Sequence, residues 1–240
     1  MYSLTAWLDG YFFSLPLIYR CLIIIAFIAV AAAIAYRKKM LTPSGVAAAA
    51  VLGFAVFFIG GTSCILVFLF FFVTASIASR LLPVPVGIVR KGSERDWVQV
   101  AANGVPAAAM LILYRFQGWD GIYLIAFASA VAEAEADTFA SSFGLLSRKP
   151  PRSIITGTIV PPGISGGITS AGTLASIAGA FLIALLSMPS LMLSLLESGV
   201  ILIAGFAGCV LDSVLGGVVQ AQYRAPDGTL TEKDEIDGKK

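Results

Sequence analysis

No histidine occurs among the 240 residues. That absence removes imidazole-liganded zinc, Ser-His-Asp triads and imidazole acid–base chemistry from the functions open to the chain. Charge is scarce as well: Asp, Glu, Lys and Arg make up 12% of the sequence, and 16 bases against 14 acids leave a net charge of +2. So thin a basic surplus gives no expectation of a nucleic-acid partner. Cysteine is limited to Cys21, Cys64 and Cys209, each inside an apolar run and none in a CxxC pair. They read as small packing residues, not as a disulfide framework. What is abundant is apolar: 58% of residues are hydrophobic before the 24 glycines are counted, whereas soluble domains reach ~45–50% with glycine included.

A segment needs ~20 apolar residues to cross a hydrocarbon core of ~30 Å. Seven stretches qualify: Leu17–Tyr36, Pro43–Gly60, Thr62–Leu81, Trp97–Tyr114, Gly121–Gly144, Ile164–Ser187 and Leu195–Val219. The expected fold is all-α and polytopic, with about seven transmembrane helices in a cell inner membrane or its equivalent. The second and third stretches meet at Gly60-Gly61, a helical hairpin with almost no loop. The sixth is rich in Gly, Ala, Ser and Thr, which suits close packing in lipid, and the two features together allow a homodimer. Ahead of them, Met1–Pro16 mixes Trp7, Tyr11, Phe12 and Phe13 with Asp9, Gly10 and Pro16. It is too short and interrupted to span, lacks the basic start of a cleavable signal, and is expected to be a short interfacial helix.

Short cytoplasmic loops collect Lys and Arg. With the N-terminus outside and the C-terminus cytosolic, the cytosolic segments take Arg37, Lys38 and Lys39, then Arg80, Arg90, Lys91 and Arg95, then Arg148, Lys149 and Arg152, and last Arg224 and the tail lysines. Only Arg20 and Arg115 fall on the other side. Residues 1–224 then form a single membrane-embedded domain, and 225–240, polar and without an apolar period, a disordered cytosolic tail.

Glu133, Glu135 and Asp137 lie within five residues of the fifth stretch, in AVAEAEADTFASSFG. Ionised and unpaired, three carboxylates at that depth cost about 8–10 kcal/mol. The compensating partner must be bound metal, protons, or bases folded in from a cytosolic loop. Glu133, Asp137 and Ser141 share a helical face, and Glu135 points elsewhere. Asp212 in the seventh stretch and Asn103 in the fourth lie at a similar depth from the cytosolic ends of their own spans, and Asp212, Gly216 and Gln220 fall on one face. Two cytosolic loops face this level. VRKGSERDWVQVAANG carries Arg90, Lys91 and Arg95. SRKPPRSIITGTIVPPGISGGITSAGT carries Arg148, Lys149, Arg152, Thr156, Gly157, Gly163, Ser165, Gly166 and Gly167. Glycines let backbone approach a phosphate, and flanking bases supply counter-charge, although the loop lacks the order of a Walker A motif. Intramembrane carboxylates facing basic, Gly-rich loops suit Mg²⁺ bridging between carboxylates and phosphates, with a nucleotide entering from the cytosol and a lipid phosphate from the inner leaflet.

In order, KGSERDWVQVAANG, EAEADTFASSFG, PPRSIITGTIVPPGISGGITSAGT and LDSVLGGVVQAQY resemble the integral-membrane family that includes the plant phytyl-phosphate kinase and bacterial, archaeal and animal relatives. That family is distantly similar to the CTP-dependent phytol and dolichol kinases and the phosphatidate cytidylyltransferases. The likeness runs from the first span to Tyr223. It falls on Lys91, Arg95, Gln99 and Asn103; on Asp137, Thr138, Ser141 and Gly144; on Arg152, Thr156, Gly157, Gly163, Gly166 and Gly167; and on Asp212, Ser213, Gly216 and Gln220. Glu133 and Glu135 depart from the small, apolar approach to the Asp that the resemblance implies.

The resemblance implies a membrane-embedded kinase that moves the γ-phosphoryl group of a nucleoside triphosphate, CTP in the first place, onto a prenyl monophosphate such as phytyl or geranylgeranyl phosphate. Asp137 and Asp212 would hold Mg²⁺ with Glu133 assisting. Lys91, Arg95, Asn103, Lys149, Arg152, Thr156, Gly157, Gly163, Ser165, Gly166, Gly167 and Gln220 would serve the nucleotide and phosphates. Two other readings stay open. One is a cytidylyltransferase making a CDP-lipid. The other is an ion- or proton-coupled transporter, which calls for polar groups on both sides of the midplane rather than a cluster in the cytosolic half.

Overall fold

Backbone in lipid must satisfy its N–H and C=O groups within the segment, so the apolar runs fold as helices. A computed structural model describes residues 3–81, 94–220, 223–224 and 230–231. In chain order the helices are α1 (Leu4–Ser14), α2 (Leu17–Arg37), α3 (Pro43–Leu81), α4 (Trp97–Phe116), α5 (Ile122–Gly144), α6 (Ser170–Ser190) and α7 (Leu195–Val219). α5 occupies the centre, packed on α3, α4, α6 and α7, and its Phe127, Val131 and Ala136 have no exposed surface. Large apolar side chains point outward instead, among them Leu22, Ile25 and Val30 on α2, Phe181 and Leu185 on α6, and Ile203 and Leu211 on α7. That is the pattern of helices solvated by lipid rather than water. Among the described residues, α2, α3, α4, α6 and α7 are long and apolar enough to cross a membrane. α5 carries the three acids and is shielded by its neighbours. The chain is a polytopic all-α membrane protein.

α3 has 39 residues, about 58 Å if straight and roughly twice a hydrocarbon core. It is not straight. Gly61 adopts φ 68° and ψ −160°, a conformation that side chains with a Cβ rarely reach, and the chain reverses there. Leu52 and Phe68, which a straight helix would hold roughly 24 Å apart, both press on the same point above Gly104. The two arms meet the sequence expectation of a hairpin almost without a loop.

Asp9 of α1 closes the reversal. The Thr62 N–H and hydroxyl each donate to its Oδ1 at 2.5 Å, the Ser63 N–H reaches both oxygens at 3.3 Å, and the Ser63 hydroxyl donates to Oδ2. These are the orphan donors at the start of the second arm, satisfied by a capping carboxylate from another helix. α1 is also tied to α6, where the Thr5 hydroxyl donates to Ser190 O at 2.9 Å. It is therefore docked on the bundle, with Trp7 and Tyr11 left exposed.

The expected start of the sixth span at Ile164 is several residues early. Gly163 and Gly166 hold φ values of 90° and 75°, and Gly167–Ile168 form strand β2, antiparallel to β1 (Arg152–Ser153), with Arg152 opposite Ile168. Helix α6 begins only where the Thr169 hydroxyl oxygen accepts from Gly172 N at 3.0 Å. After α7, β3 (Tyr223–Arg224) pairs antiparallel with β4 (Leu230–Thr231). The rest of the tail, 225–229 and 232–240, lies outside the described residues.

Candidate functional site

Glu133 and Asp137 of α5 and Asp212 of α7 are brought together where the two helices pack. Two features of α7 make the approach close. A Cβ on Gly205 would lie 2.7 Å from the Ala132 methyl, and one on Gly208 would lie 2.6 Å from Glu133 Cγ, so a larger residue at 208 would displace the Glu133 side chain. The fields of Asp137 and Asp212 act on Glu133, and that of Asp212 acts on Asp137. Asp212 is exposed, whereas Glu133 and Asp137 are half-buried. The Cys209 thiol, free and buried, stands beside these three acids and Ser176. Among the described residues no three Asp, Glu or Cys side chains are grouped so as to hold a metal ion by themselves. The three carboxylates are hard oxygen donors, a chemistry that suits Mg²⁺ when phosphate oxygens and water complete its shell.

Glu135 behaves differently. It has no exposed surface, and neither of its oxygens has a hydrogen-bond partner. The neighbouring Thr74 hydroxyl donates to Phe70 O at 2.7 Å instead. A buried carboxylate left unsatisfied is expensive, and the base that faces it is Arg95. Arg95 sits just ahead of α4, whose first turn is capped by the Asp96 side chain, accepting from Gln99 N at 2.9 Å. Its backbone is pinned to the α2–α3 connection: Arg95 N donates to Met40 O and Thr42 N donates to Arg95 O, both at 3.1 Å. Its guanidinium lies 5.8 Å from the Phe71 ring centre. Burial pushes the guanidinium below its ordinary pKa, and the fields of Glu135 and Asp137 push it back up. Arg95 is thus the loop base whose charge acts on the intramembrane acids Glu135 and Asp137, without pairing directly with either.

The Gly-rich loop closes over the end of α7. The Ser165 hydroxyl donates to Gln220 Oε1 at 2.7 Å, and Gly166 packs on the backbone of Gly217 and Ser213. Gly216 and Gln220, on one face with Asp212, both meet Ser165. Arg152 folds back on its own loop, its Nη1 donating to Gly157 O at 2.8 Å. Thr156 shares a hydroxyl contact of 2.7 Å with Thr158 in an exposed turn, and Lys149 is exposed. Asn103 and Gln99 join Arg95 on the wall of a cavity between α2, α3 and α4, away from the α5–α7 contact. Lys91 and Arg90 lie outside the described residues.

Of two carboxylates that the fold singles out, the sequence flagged Glu135 as intramembrane without giving it a role, and gave Asp9 none. Glu135 had a signal: two residues from both Glu133 and Asp137, it must leave their face and turn toward other helices. Asp9 had none beyond its neighbourhood of aromatics, because its partners lie 53 and 54 residues away.

The family model described as integral membrane protein DUF92 matches residues 26–240. An uncharacterized membrane protein of Methanocaldococcus jannaschii is 32% identical over 210 residues, 84% of each chain. Protein PGR of Arabidopsis thaliana is 30% identical over 214 residues, covering 77% of this chain and 74% of its own. An uncharacterized membrane protein of Synechocystis is 30% identical over 206 residues, covering 82% and 79%. No solved structure matches the chain.

Proposed function

Since the chain belongs to the integral membrane family DUF92, we propose that it is a membrane-embedded, Mg²⁺-dependent phosphotransferase. It moves the γ-phosphoryl group of a nucleoside triphosphate, CTP by the resemblance, onto a prenyl monophosphate, with its site open to the cytosol. The observation that supports this reading is the cluster of Glu133, Asp137 and Asp212 between α5 and α7, with the charge of Arg95 acting on Asp137 and the Ser165–Gly167 loop over the end of α7.

An oxygen of the prenyl phosphate attacks the γ-phosphorus, a new P–O bond forms, and the bond to the β-phosphate oxygen breaks with its electron pair leaving on the nucleoside diphosphate. The acceptor oxygen is already an anion, so no residue has to remove a proton, and the absence of histidine is no obstacle. Asp137 and Asp212, with Glu133, would hold Mg²⁺, which would supply positive charge against the phosphates. Arg95 orients the acceptor phosphate and keeps it beside Asp137. Lys91, Lys149 and Arg152 meet the nucleotide from the loops, and Gly163, Gly166 and Gly167 let backbone N–H groups approach its phosphates.

Purified protein in lipid nanodiscs, given geranylgeranyl or phytyl phosphate, γ-labelled CTP or ATP and Mg²⁺, should form labelled prenyl diphosphate and nucleoside diphosphate. Failure to label any prenyl diphosphate with either nucleotide overturns the proposal. A CDP-lipid with released pyrophosphate would assign the protein to the cytidylyltransferases. Carboxylate-dependent ion flux in liposomes without any transfer would make it a transporter.

A further inference from the structure

The cavity between α2, the two arms of α3 and the start of α4 takes no part in the carboxylate cluster, yet it shares Arg95 with it. Its walls are hydrocarbon along most of their length: Phe27 and Ala32 from α2, Ala49 and Gly53 from the first arm, Phe68 and Phe72 from the second. Among the described residues polar side chains enter at one place only, where Arg95, Gln99 and Asn103 of the α4 start line it. Gly53 lies ten residues into the first arm, about 15 Å from the Arg95 end, and a Cβ there would meet nothing nearer than Ile28 Cγ1 at 4.0 Å. The space is thus a largely apolar slot with a cation lining one part of its wall, a polarity that matches one hydrocarbon chain ending in an anion. A two-chain phospholipid needs twice the section, and a free phosphate would leave the apolar walls bare.

The geometry points to this slot as the binding site for the chain of a single-chain lipid phosphate, with the phosphate held by Arg95 next to Asp137. The assignment rests on the lipid-phosphate reading above and adds where the chain lies: between α2 and α3, not along the outer faces of the bundle. Gly53 sets the depth, and thereby the length of chain accepted.

Binding, which needs no turnover, tests it. Geranylgeranyl phosphate bearing a photoreactive diazirine at the far end of its chain is cross-linked to the intact protein in nanodiscs and the adducts are mapped by mass spectrometry. Adducts on Phe27, Ile28, Gly53 or Phe68 are expected, and adducts confined to outward-facing residues such as Ile25, Phe181 or Leu211 overturn the assignment. In parallel, Gly53→Leu should weaken geranylgeranyl phosphate by at least about tenfold, the loss expected when two or three chain carbons are shut out, while dimethylallyl phosphate changes by less than about twofold. Gly53→Ala, whose methyl has room, serves as the folding control. Arg95→Gln should weaken geranylgeranyl phosphate by about tenfold or more and leave geranylgeraniol unchanged. Inorganic phosphate should neither bind comparably nor respond to Gly53→Leu. Equal binding of the long phosphate to parent and Gly53→Leu overturns the slot. Slot-dependent binding without phosphoryl transfer keeps the slot and sinks the kinase.

Discussion

Two carboxylates, one at the tip of the α3 reversal and one in the middle of α5, are treated in opposite ways. Asp9, at the tip of the α3 reversal, accepts from the backbone and hydroxyl groups of both Thr62 and Ser63. Glu135, buried in the middle of α5, has no hydrogen-bond partner, and only the neighbouring Thr74 hydroxyl and the field of Arg95 ease its charge. The arginines differ in their surroundings. Arg20 is enclosed by Phe12, Phe13 and Phe58, with its guanidinium 4.9–5.3 Å from their ring centres, and donates to Phe58 O at 3.2 Å, while its buried Nε has no partner. Arg95 stands between acids and an open slot. A polar group whose valences are filled by its own chain holds the fold together. At Glu135 the shortfall lies beside the other acids and the base on which the proposed site rests.

Breaking the contrast at the cluster should have the largest effect. Asp137→Asn and Asp212→Asn keep the volume and remove the charge, so phosphoryl transfer should fall by about a hundredfold or more, some 3 kcal/mol of transition-state stabilisation. Unfolding in detergent should be unchanged or later, since an intramembrane charge has gone. Near-normal turnover in both variants would remove these residues from the site. At the tip of the α3 reversal, Asp9→Ala strands four donors and should lower stability by about 2–3 kcal/mol, read as an earlier unfolding transition. Transfer per folded molecule should stay the same, and a selective loss of transfer would show that the tip is no mere fastening. Gly208→Ala sets a methyl against Glu133 and should be destabilising by about 1–2 kcal/mol, with a several-fold loss of transfer as Glu133 moves. Glu135→Gln is expected to have the smallest effect: a loss of transfer within about tenfold and no loss of stability, because nothing was bonded to the carboxylate. Marked destabilisation by that substitution would show Glu135 to be paired after all, with Arg95 stranded.

Helices were legible because lipid leaves a long apolar run no other way to satisfy its backbone. All seven expected stretches contain helix, and the reversal at Gly61 follows from two glycines between runs each as long as a bilayer core. The error at Ile164 has the same origin. Its apolar character suggested a helix, but Gly163, Gly166 and Gly167 around it favour turns, and the partner of β2 is Arg152, outside the window that periodicity examines. Within the site, Glu133 with Asp137, and Gly216 with Gln220, were legible as helical faces. Their meeting partners were not, because the approach of α7 to α5 and the pinning of Arg95 between Met40 and Thr42 are tertiary contacts that no local pattern encodes. The slot was invisible for the same reason: it is the space that Ala and Gly leave when three helices that sequence treats separately come together.

A reversal at a single glycine leaves no hydrophilic connector to be pulled through the lipid. The two arms of α3 can enter the bilayer as one preformed wedge, and the polar groups at its leading edge are little more than the amides and hydroxyls of Thr62 and Ser63. Their acceptor lies upstream in the chain. During synthesis Asp9 leaves the ribosome well before residue 62 does, so the acceptor for the tip already exists when its donors are made.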